Sequence, residues 1–487
     1  MTETTTTTGR LLRARPSDVG VPARAIHAVL DDLDRRGLEL HSLMVVRHGH
    51  VVAEGWWSPY SADRVHLLYS LSKSFTSTAV GFAVAEGRFR LDDRLVDLLP
   101  ARVPDDIDPA LARLTVHHLL SMSTGHREDT LERAWTLDPD DLVRGFLRIS
   151  PEEPVGSRHA YNNPTTYALA ALVEEHTGMF LLDYLRPRLL DPLGIGAAHW
   201  DTDERGGALG FTGLHLQTES VARFGQLLLQ NGEWLGQQVL PEGWVALATR
   251  KHIDSDNDPT RPIDWRQGYG YQYWIARHGY RGDGAHGQFC VVVPEADLVV
   301  ATTARVDEMQ QVLDVLWEQL LPALDGAADA ADEAGLTERL AALELPFLTP
   351  THDGPGEAVR FVVDGEGPEE PLARGTEVAV VPDGDGTLLT IGLPRTELAL
   401  PCGRDHWAEG LAGAGSGTGR GARGAAPADP VPIVGRGGWT GPDTFEADLL
   451  LIETPHRIRL RGNGSRLEAR WNVPPLSGAA LEAHLPR

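Results

Sequence analysis

The chain has 487 residues, of which 42% are hydrophobic, and a formal net charge of −25. This length exceeds that of one ordinary domain and predicts a globular protein of two domains. The negative charge argues against nucleic acid or an anionic membrane surface as a partner, because binding to either needs a basic face.

The N-terminus carries no cationic run followed by an apolar segment, so we expect no secretory signal, and residues 1–15 are predicted to be disordered. No apolar run approaches the roughly 18 residues of a membrane span. These features predict a cytoplasmic protein. The two cysteines, Cys290 and Cys402, lie far apart and are predicted to be buried free thiols.

Apolar periodicity predicts a first domain over residues 16–325. An amphipathic helix over 21–36 is followed by a strand pair over 43–57 and a helix that contains Ser70. The later elements are predicted helices over 114–122, 139–149, 164–177, 181–190, 218–231, 241–250 and 307–324, and predicted strands over 270–276, 288–293 and 298–303. This order predicts an α/β (α+β) fold, an antiparallel sheet of about five strands flanked by helices, with the helical block as an inserted subdomain.

A linker is predicted over 326–337, and an all-β domain, sandwich or barrel, over 338–487. Short β-rich runs alternate there with Gly and Pro turns, and the predicted strands cover 359–363, 377–381, 387–393, 445–452, 457–461 and 467–473. The run Gly410 to Gly424 is too rich in glycine to pack and is predicted to be a flexible loop.

Lysine is scarce in this chain, which has two lysines, Lys73 and Lys251, against 42 arginines. Arginine stays protonated and cannot serve as a base, so a retained lysine suggests an amine that must lose its proton. Lys73 follows Ser70 by three residues on a predicted helix, which places the hydroxyl and the amine on one face. A nucleophile and its base fit this spacing, although an N-cap serine and a surface lysine fit it too.

Two further segments could complete such a site. Tyr161 and Asn163 precede a predicted helix and offer a hydroxyl, which a nearby ammonium could push towards phenolate, and an amide. The glycine-rich run from Gly282 to Gly287 stands before an apolar strand, where a substrate could approach the backbone closely. A turn and a hairpin explain the same two segments. His48 and His50 have no third ligand at a useful spacing, so we predict neither a metal nor a cofactor.

Together, S-x-x-K, Y-x-N and a late glycine-rich strand entry resemble the penicillin-recognising serine hydrolases. These include class C β-lactamases, D-alanyl-D-alanine peptidases, and related esterases and aminohexanoate-oligomer hydrolases. The resemblance covers roughly residues 15 to 325 and extends to four more stretches, which are 114–125, 191–195, 221–232 and 268–274. It implies the β-lactamase/transpeptidase-like fold for this part of the chain.

The resemblance also implies roles for individual residues. Ser70 would be the acylated nucleophile, Lys73 its base and Tyr161 the proton relay to the leaving group. Asn163 would orient Lys73 and the substrate.

The family's third motif would fall on Gly282-Asp283-Gly284, and the backbone N–H groups of Ser70 and Ala285 would hold the oxyanion. His286-Gly287 is the alternative position for this motif.

The third motif lacks the cation that, in the β-lactamases and peptidases, helps to hold a substrate carboxylate. Arg281 or His286 could replace it. We therefore expect a serine hydrolase of small esters or linear amides, with Tyr269, Tyr271 and Trp274 as pocket residues. The alternatives are a β-lactamase or D-Ala-D-Ala peptidase, a catalytically silent scaffold on the same fold, and an acyltransferase that uses the same residues.

Overall fold

The computed structural model describes residues 9–327, 330–365, 367–412 and 430–485. The chain divides into two compact units. The first comprises Met1–Trp56 and Ala62–Leu343, and the second comprises Trp57–Ser61 and Glu344–Arg487. Within the described residues, no helix is both long enough and apolar enough to span a lipid bilayer.

A seven-stranded sheet forms the centre of the first unit. Its strands in chain order are β1 (Leu12–Arg13), β2 (Glu39–Arg47), β3 (His50–Trp56), β4 (Trp274–Ile275), β5 (Tyr280–Gly284), β6 (Gln288–Val293) and β7 (Leu298–Arg305). The spatial order is β1-β3-β2-β7-β6-β5-β4, and every neighbouring pair is antiparallel except β1 with β3. The prediction of an antiparallel sheet with an inserted helical block is confirmed.

Two strands of this sheet differ from the sequence prediction. β1 lies in the segment predicted to be disordered, where Leu11 is buried and the chain pairs with β3. The rest of that segment, residues 1–8, lies outside the described residues. β5 is a strand in spite of its glycines, whereas only Trp274–Ile275 of the predicted strand over 270–276 is extended. Glycine has a low strand propensity, which explains why the pattern conceals β5.

Helices surround the sheet. Six of them are α1 (Ala23–Arg36), α2 (Ser72–Ala85), α3 (Asn163–Thr177), α4 (Thr218–Leu229), α5 (Met309–Val315) and α6 (Ala330–Ala341). Further helical segments are Leu95–Leu98, Val116–Leu120, Leu131–Leu137, Leu142–Phe146, Leu181–Leu185 and Trp244–Ala248.

Helix α4 packs on strands β2, β6 and β7. Gly225 permits this close approach, because a Cβ atom there would lie 2.5 Å from Val299 Cγ1. The helical block and this face of the sheet share one hydrophobic core.

Helix α6 occupies most of the segment 326–337 that the sequence predicts as a linker. It packs on α1 and β3, with Leu336 buried and the Arg339 guanidinium 2.7 Å from Asp31. Its alanine-rich sequence is compatible with a helix as well as with a linker. Packing on the apolar surface of α1 stabilises the helix.

The second unit contains one nine-stranded sheet. Its strands are β8 (Val359–Val363), β9 (Glu377–Asp383), β10 (Gly386–Gly392), β11 (Glu397–Cys402), β12 (Ala408–Ala412), β13 (Val431–Trp439), β14 (Thr444–Leu451), β15 (Arg457–Asn463) and β16 (Arg466–Trp471). The order is β11-β10-β9-β8-β16-β15-β14-β13-β12, with β8 and β16 parallel and the other pairs antiparallel.

This sheet curls until its two edges meet. β11 contacts β12 and β13, and the Gly403 N–H donates a hydrogen bond of 3.1 Å to the Gly435 carbonyl beside them. The result is a nearly closed, barrel-like sheet around its own apolar core, and the predicted all-β domain is confirmed. Residues 410–412 of the predicted flexible loop belong to β12, and residues 413–424 lie outside the described residues. Cys290 and Cys402 are buried free thiols, as predicted.

Candidate active site

Ser70 and Lys73 stand at the start of α2, as their spacing predicts. Ser70 lies in a 3₁₀ turn, Tyr69–Leu71, that leads directly into the helix. Lys73 Nζ donates a hydrogen bond of 2.8 Å to Ser70 Oγ and a second one, of 2.9 Å, to the Phe211 carbonyl. The amine is therefore aimed at the hydroxyl by a fixed backbone group.

Helix α2 is held by hydroxyl groups as well as by apolar packing. Ser74 Oγ donates to the Gln272 carbonyl at 2.9 Å, Ser77 Oγ to the Tyr271 carbonyl at 2.7 Å, and Thr76 Oγ1 to the Gly210 carbonyl at 2.8 Å. All three hydroxyls are buried, and each satisfies a backbone acceptor outside the helix. These bonds fix the position of the helix that carries Ser70 and Lys73.

Burial changes the acidity of Lys73. The side chain is 1% exposed, and loss of hydration lowers the pKa of its amine to about 7. The negative charges of Asp129 and Asp283 raise this pKa, but by less than burial lowers it. An uncharged amine that can accept a proton is then populated near neutral pH. An exposed lysine would be almost fully charged at the same pH.

Tyr161 lies beside this pair. Lys73 Nζ lies 4.7 Å from the centroid of the Tyr161 ring, which stacks on Trp274 at 5.5 Å between centroids. Burial raises the pKa of the Tyr161 hydroxyl well above its usual value, Asp283 raises it further, and a hydrogen bond with Ser70 lowers it. The phenol is therefore neutral at ordinary pH and can donate a proton, whereas the sequence suggested a phenol pushed towards phenolate.

Asn163 is the first residue of α3 and is partly exposed. Its backbone N–H donates to the Asp129 carboxylate at 3.0 Å, and its side-chain amide donates to the same carboxylate. The sequence predicts a bond from Asn163 to Lys73. In the structure Lys73 bonds to the Phe211 carbonyl, and Asn163 bonds to Asp129. No pattern in the sequence marks Phe211 or Asp129 as a residue of the site.

Strand β5 brings the glycine-rich segment against Ser70. A Cβ atom on Gly284 would lie 2.0 Å from the Leu68 carbonyl oxygen, and one on Gly282 would lie 2.5 Å from Ser74 Oγ. Only glycine at these positions lets β5 lie against the first turn of α2.

The next peptide bond is oriented by the turn that follows β5. The Gly284 carbonyl accepts a hydrogen bond of 3.3 Å from the Gly287 N–H. In a planar trans peptide the N–H of Ala285 points opposite to that carbonyl, and Ala285 lines the same cavity as Ser70. His286 has a φ of +69° and lies edge-on to Tyr69. Gly284 and Ala285 line the cavity, and the choice between the two registers of the third motif stays a prediction.

The cavity in front of Ser70 has a volume of about 410 Å³. Its aromatic wall consists of Tyr161, Trp265 and Trp274. Of the three residues predicted to line a pocket, Trp274 does so. Tyr269 is buried behind the wall against Tyr161 and Trp274, and Tyr271 is buried outside the lining, where it stacks on His252. Its charged residues are Arg261, Asp283, Asp307 and Glu308, so carboxylates outnumber cations in the lining.

Arg281 and Asp283 form a buried ion pair on β5. Arg281 is fully buried and its Nε lies 3.1 Å from Asp283 Oδ2, while its guanidinium stacks over the Trp265 ring at 4.2 Å. Arg281 lies behind the cavity wall and is fully buried. It is therefore not placed to hold a substrate carboxylate, which the sequence suggested as one possibility. Burial raises the pKa of Asp283, while Arg281 and Lys73 lower it.

Comparison with known proteins gives matches over most of the first unit. The family model described as Beta-lactamase matches residues 23–324. The chain is 25% identical over 310 residues to the 6-aminohexanoate-dimer hydrolase of Paenarthrobacter ureafaciens, covering 59% of this chain and 78% of that enzyme. It is 26% identical over 347 residues to penicillin-binding protein 4 of Amycolatopsis lactamdurans, covering 63% and 86%.

A solved structure from Bacillus anthracis, provisionally described as a 6-aminohexanoate-dimer hydrolase, shares the fold. Its TM-score to this chain is 0.52 at 22% sequence identity, and the match covers 64% of this chain and 86% of the other.

Proposed function

The chain belongs to the β-lactamase family of hydrolases, and we propose that it cleaves small esters or linear amides through an acyl-enzyme on Ser70. One observation carries this proposal. A buried lysine with a pKa of about 7 lies within hydrogen-bond distance of a serine hydroxyl that opens into a cavity.

Acylation begins with transfer of the Ser70 proton to the neutral amine of Lys73. Ser70 Oγ attacks the substrate carbonyl carbon and forms a tetrahedral intermediate with a negative oxygen. The backbone N–H groups of Ser70 and Ala285 donate hydrogen bonds to that oxygen. Fixed donors of this kind need no reorganisation during the reaction, and each is worth about 3 kcal/mol of barrier in acyl transfer.

Tyr161 transfers the proton to the leaving atom. Its raised pKa keeps the hydroxyl protonated, so it can give its proton to the departing oxygen or nitrogen and recover one from the Lys73 ammonium. A water molecule then attacks the acyl carbon. Lys73 and Tyr161 carry the proton that the water loses to Ser70 Oγ, and the Ser70 hydroxyl is restored as the acid leaves.

The cavity lining suggests the class of substrate. Asp307 and Glu308 line the cavity beside one cation, Arg261, and Asp283 is already paired with Arg281. The lining therefore has no excess of positive charge to hold an anionic substrate such as a β-lactam or a peptide with a free C-terminal carboxylate. The aromatic wall suits an apolar acyl group. The 6-aminohexanoate-dimer hydrolase among the relatives supports a linear amide as the scissile bond beside an ester. The dimer in that name has a free carboxylate, so the likeness bears on the bond that is cleaved and not on the charge of the substrate.

The test is intact-protein mass spectrometry after brief incubation with a p-nitrophenyl ester, with nitrophenol release followed in parallel. We expect an acyl adduct or turnover in the wild type and neither in Ser70→Ala and Lys73→Arg. Lys251→Arg is the matched control for the lysine, because the Lys251 amine lies on the surface, 3.1 Å from Asp254 Oδ1.

Equal background release by all four proteins, without an adduct, would refute the acyl-enzyme proposal for this substrate class and favour the silent scaffold. Turnover of a chromogenic cephalosporin faster than that of the ester would instead favour the β-lactamase alternative. Added small alcohols or amines that capture the acyl group in place of water would indicate acyl transfer.

A further inference from the structure

Two histidines face each other in a small sheet outside the catalytic cavity. The strands Ala198–Trp200 and Leu214–Leu216 are antiparallel, and His199 lies directly opposite His215. Their imidazole rings stack with centroids 3.8 Å apart. Although 16 positions separate them in the sequence, the register places both side chains on one face of the sheet.

Asp201 completes the cluster. It follows His199 by two residues, so its side chain emerges on the same face of the chain. The Asp201 N–H continues the ladder by donating to the Gly213 carbonyl at 2.9 Å. A Cβ atom on Gly213 would lie 2.7 Å from Asp201 Cβ, so the glycine makes room for the aspartate beside the two rings.

The distances suit one small cation. Asp201 Oδ1 lies 3.6 Å from His215 Nε2 and 3.9 Å from His199 Nε2, and one ligand atom of each residue lies within 4.8 Å of the others. Ligand atoms about 2.0–2.2 Å from a tetrahedral Zn²⁺ are roughly 3.3–3.6 Å apart. Because the two rings are stacked, the exposed His199 ring must rotate out of the stack, and the exposed Asp201 side chain must shift, for all three ligand atoms to face one ion.

The chemistry of His215 points to a ligand independently of these distances. His215 is 7% exposed, its Nδ1 makes no hydrogen bond, and its Nε2 is beyond hydrogen-bond distance from Asp201. A buried imidazole nitrogen left without a hydrogen bond costs stability. Coordination of a cation through one ring nitrogen would offset part of that cost.

We infer that His199, Asp201 and His215 bind one Zn²⁺ ion, with a water as the fourth ligand. Two imidazole nitrogens and one carboxylate oxygen match the ligand preference of zinc better than that of Mg²⁺ or Ca²⁺, which prefer oxygen ligands. The site lies outside the proposed catalytic machinery, and its proposed role is structural.

The zinc site would act on the strand that supports the catalytic helix. The Leu68 N–H donates to the Leu214 carbonyl at 2.8 Å, and the Leu214 N–H donates to Ser72 Oγ at 3.0 Å. The same segment includes Phe211, whose carbonyl accepts from Lys73. A cation that joins the strands Ala198–Trp200 and Leu214–Leu216 would therefore stabilise the backbone segment that bonds to Ser72 and Lys73.

The test is Zn²⁺ binding to the full chain after removal of metals, measured by competition with a chromogenic chelator and checked by the visible absorption of Co²⁺. We expect one ion per chain, a tetrahedral Co²⁺ spectrum and a thermal midpoint that rises with Zn²⁺. His199→Gln and Asp201→Asn are both exposed and should fold, and each should weaken binding at least about tenfold.

His48→Gln is the matched control, because His48 is an exposed histidine that pairs with a carboxylate, Asp297, in the turn between β2 and β3. It should bind Zn²⁺ as the wild type does. Substoichiometric binding, or binding that neither His199→Gln nor Asp201→Asn weakens, would overturn the inference. Since no catalytic residue is changed, this result is independent of the proposed hydrolase mechanism.

Discussion

Lys73 Nζ donates a hydrogen bond of 2.8 Å to Ser70 Oγ from a side chain that is only 1% exposed. The contact and the burial have separate consequences. The contact places a proton acceptor beside the hydroxyl, and the burial lowers the pKa of the amine to about 7, so that it can accept that proton near neutral pH.

The pH dependence of acylation follows from this pKa. The uncharged amine is the competent form, so kcat/KM for a p-nitrophenyl ester should rise with pH and level off above an apparent pKa of about 7. The measurement is the initial rate between about pH 5.5 and 9.5. A midpoint near the 10.5 of an ordinary lysine would contradict a desolvated base.

Lys73→Met should be inactive but more stable than the wild type. The pKa of the Lys73 amine is lower in the folded state than in the unfolded chain. The unfolded chain therefore binds a proton at this amine more tightly than the folded protein does. As the pH falls from about 10 to about 7, the free energy of unfolding decreases for this reason. Removing this cost should raise the free energy of unfolding at pH 7 by about 1 to 4 kcal/mol. Urea denaturation at pH 7 and pH 9.5 measures it, and a variant that is less stable at pH 7 would refute the account.

Tyr161→Phe should slow ester turnover by about 10²- to 10⁴-fold with little change in folding, because the ring keeps its stacking on Trp274. Tyr271→Phe is the control. Its hydroxyl pairs with His117 Nδ1 at 2.7 Å, away from the cavity, so its loss should affect stability more than rate. Steady-state kinetics measures the change in turnover rate, and thermal unfolding followed by circular dichroism measures the change in stability. Equal turnover rates in Tyr161→Phe and Tyr271→Phe would count against a proton relay through Tyr161.

Gly284→Ala should reduce both activity and stability. The added methyl would lie 2.0 Å from the Leu68 carbonyl oxygen and would push β5, with the Ala285 N–H, away from Ser70. We expect a loss of about 1 to 3 kcal/mol in unfolding free energy and at least tenfold in acylation rate. At Gly196 an added Cβ meets no atom within 4 Å, so Gly196→Ala should match the wild type in both measurements.

Asp283→Asn should lower the stability and shift the pH profile. It leaves Arg281 buried without its carboxylate partner, which should cost about 3 kcal/mol. It also removes an attraction that raises the pKa of Lys73, so the midpoint of the acylation profile should move to lower pH. Asp307→Asn, at the exposed rim beside Arg305, should change stability by less than about 1 kcal/mol. An unchanged or higher midpoint in Asp283→Asn would contradict the proposed electrostatics.

The sequence by itself determined the features that depend on local spacing. Helical geometry places Ser70 and Lys73 on one face at a spacing of three residues, and the scarcity of lysine marks Lys73. Alternation of apolar and polar residues predicted most strands of the second unit, because buried and more exposed residues alternate along most of them. The order of strands and helices predicted the class of the first unit.

Contacts between distant segments decided the rest. The pKa of Lys73 depends on burial by residues far along the chain, and its second hydrogen bond goes to a backbone carbonyl, which any residue type could offer at position 211. Strand β5 is concealed by glycines that its packing against α2 requires. His199 and His215 meet only through strand register, because antiparallel pairing rather than sequence spacing sets which side chains lie opposite one another.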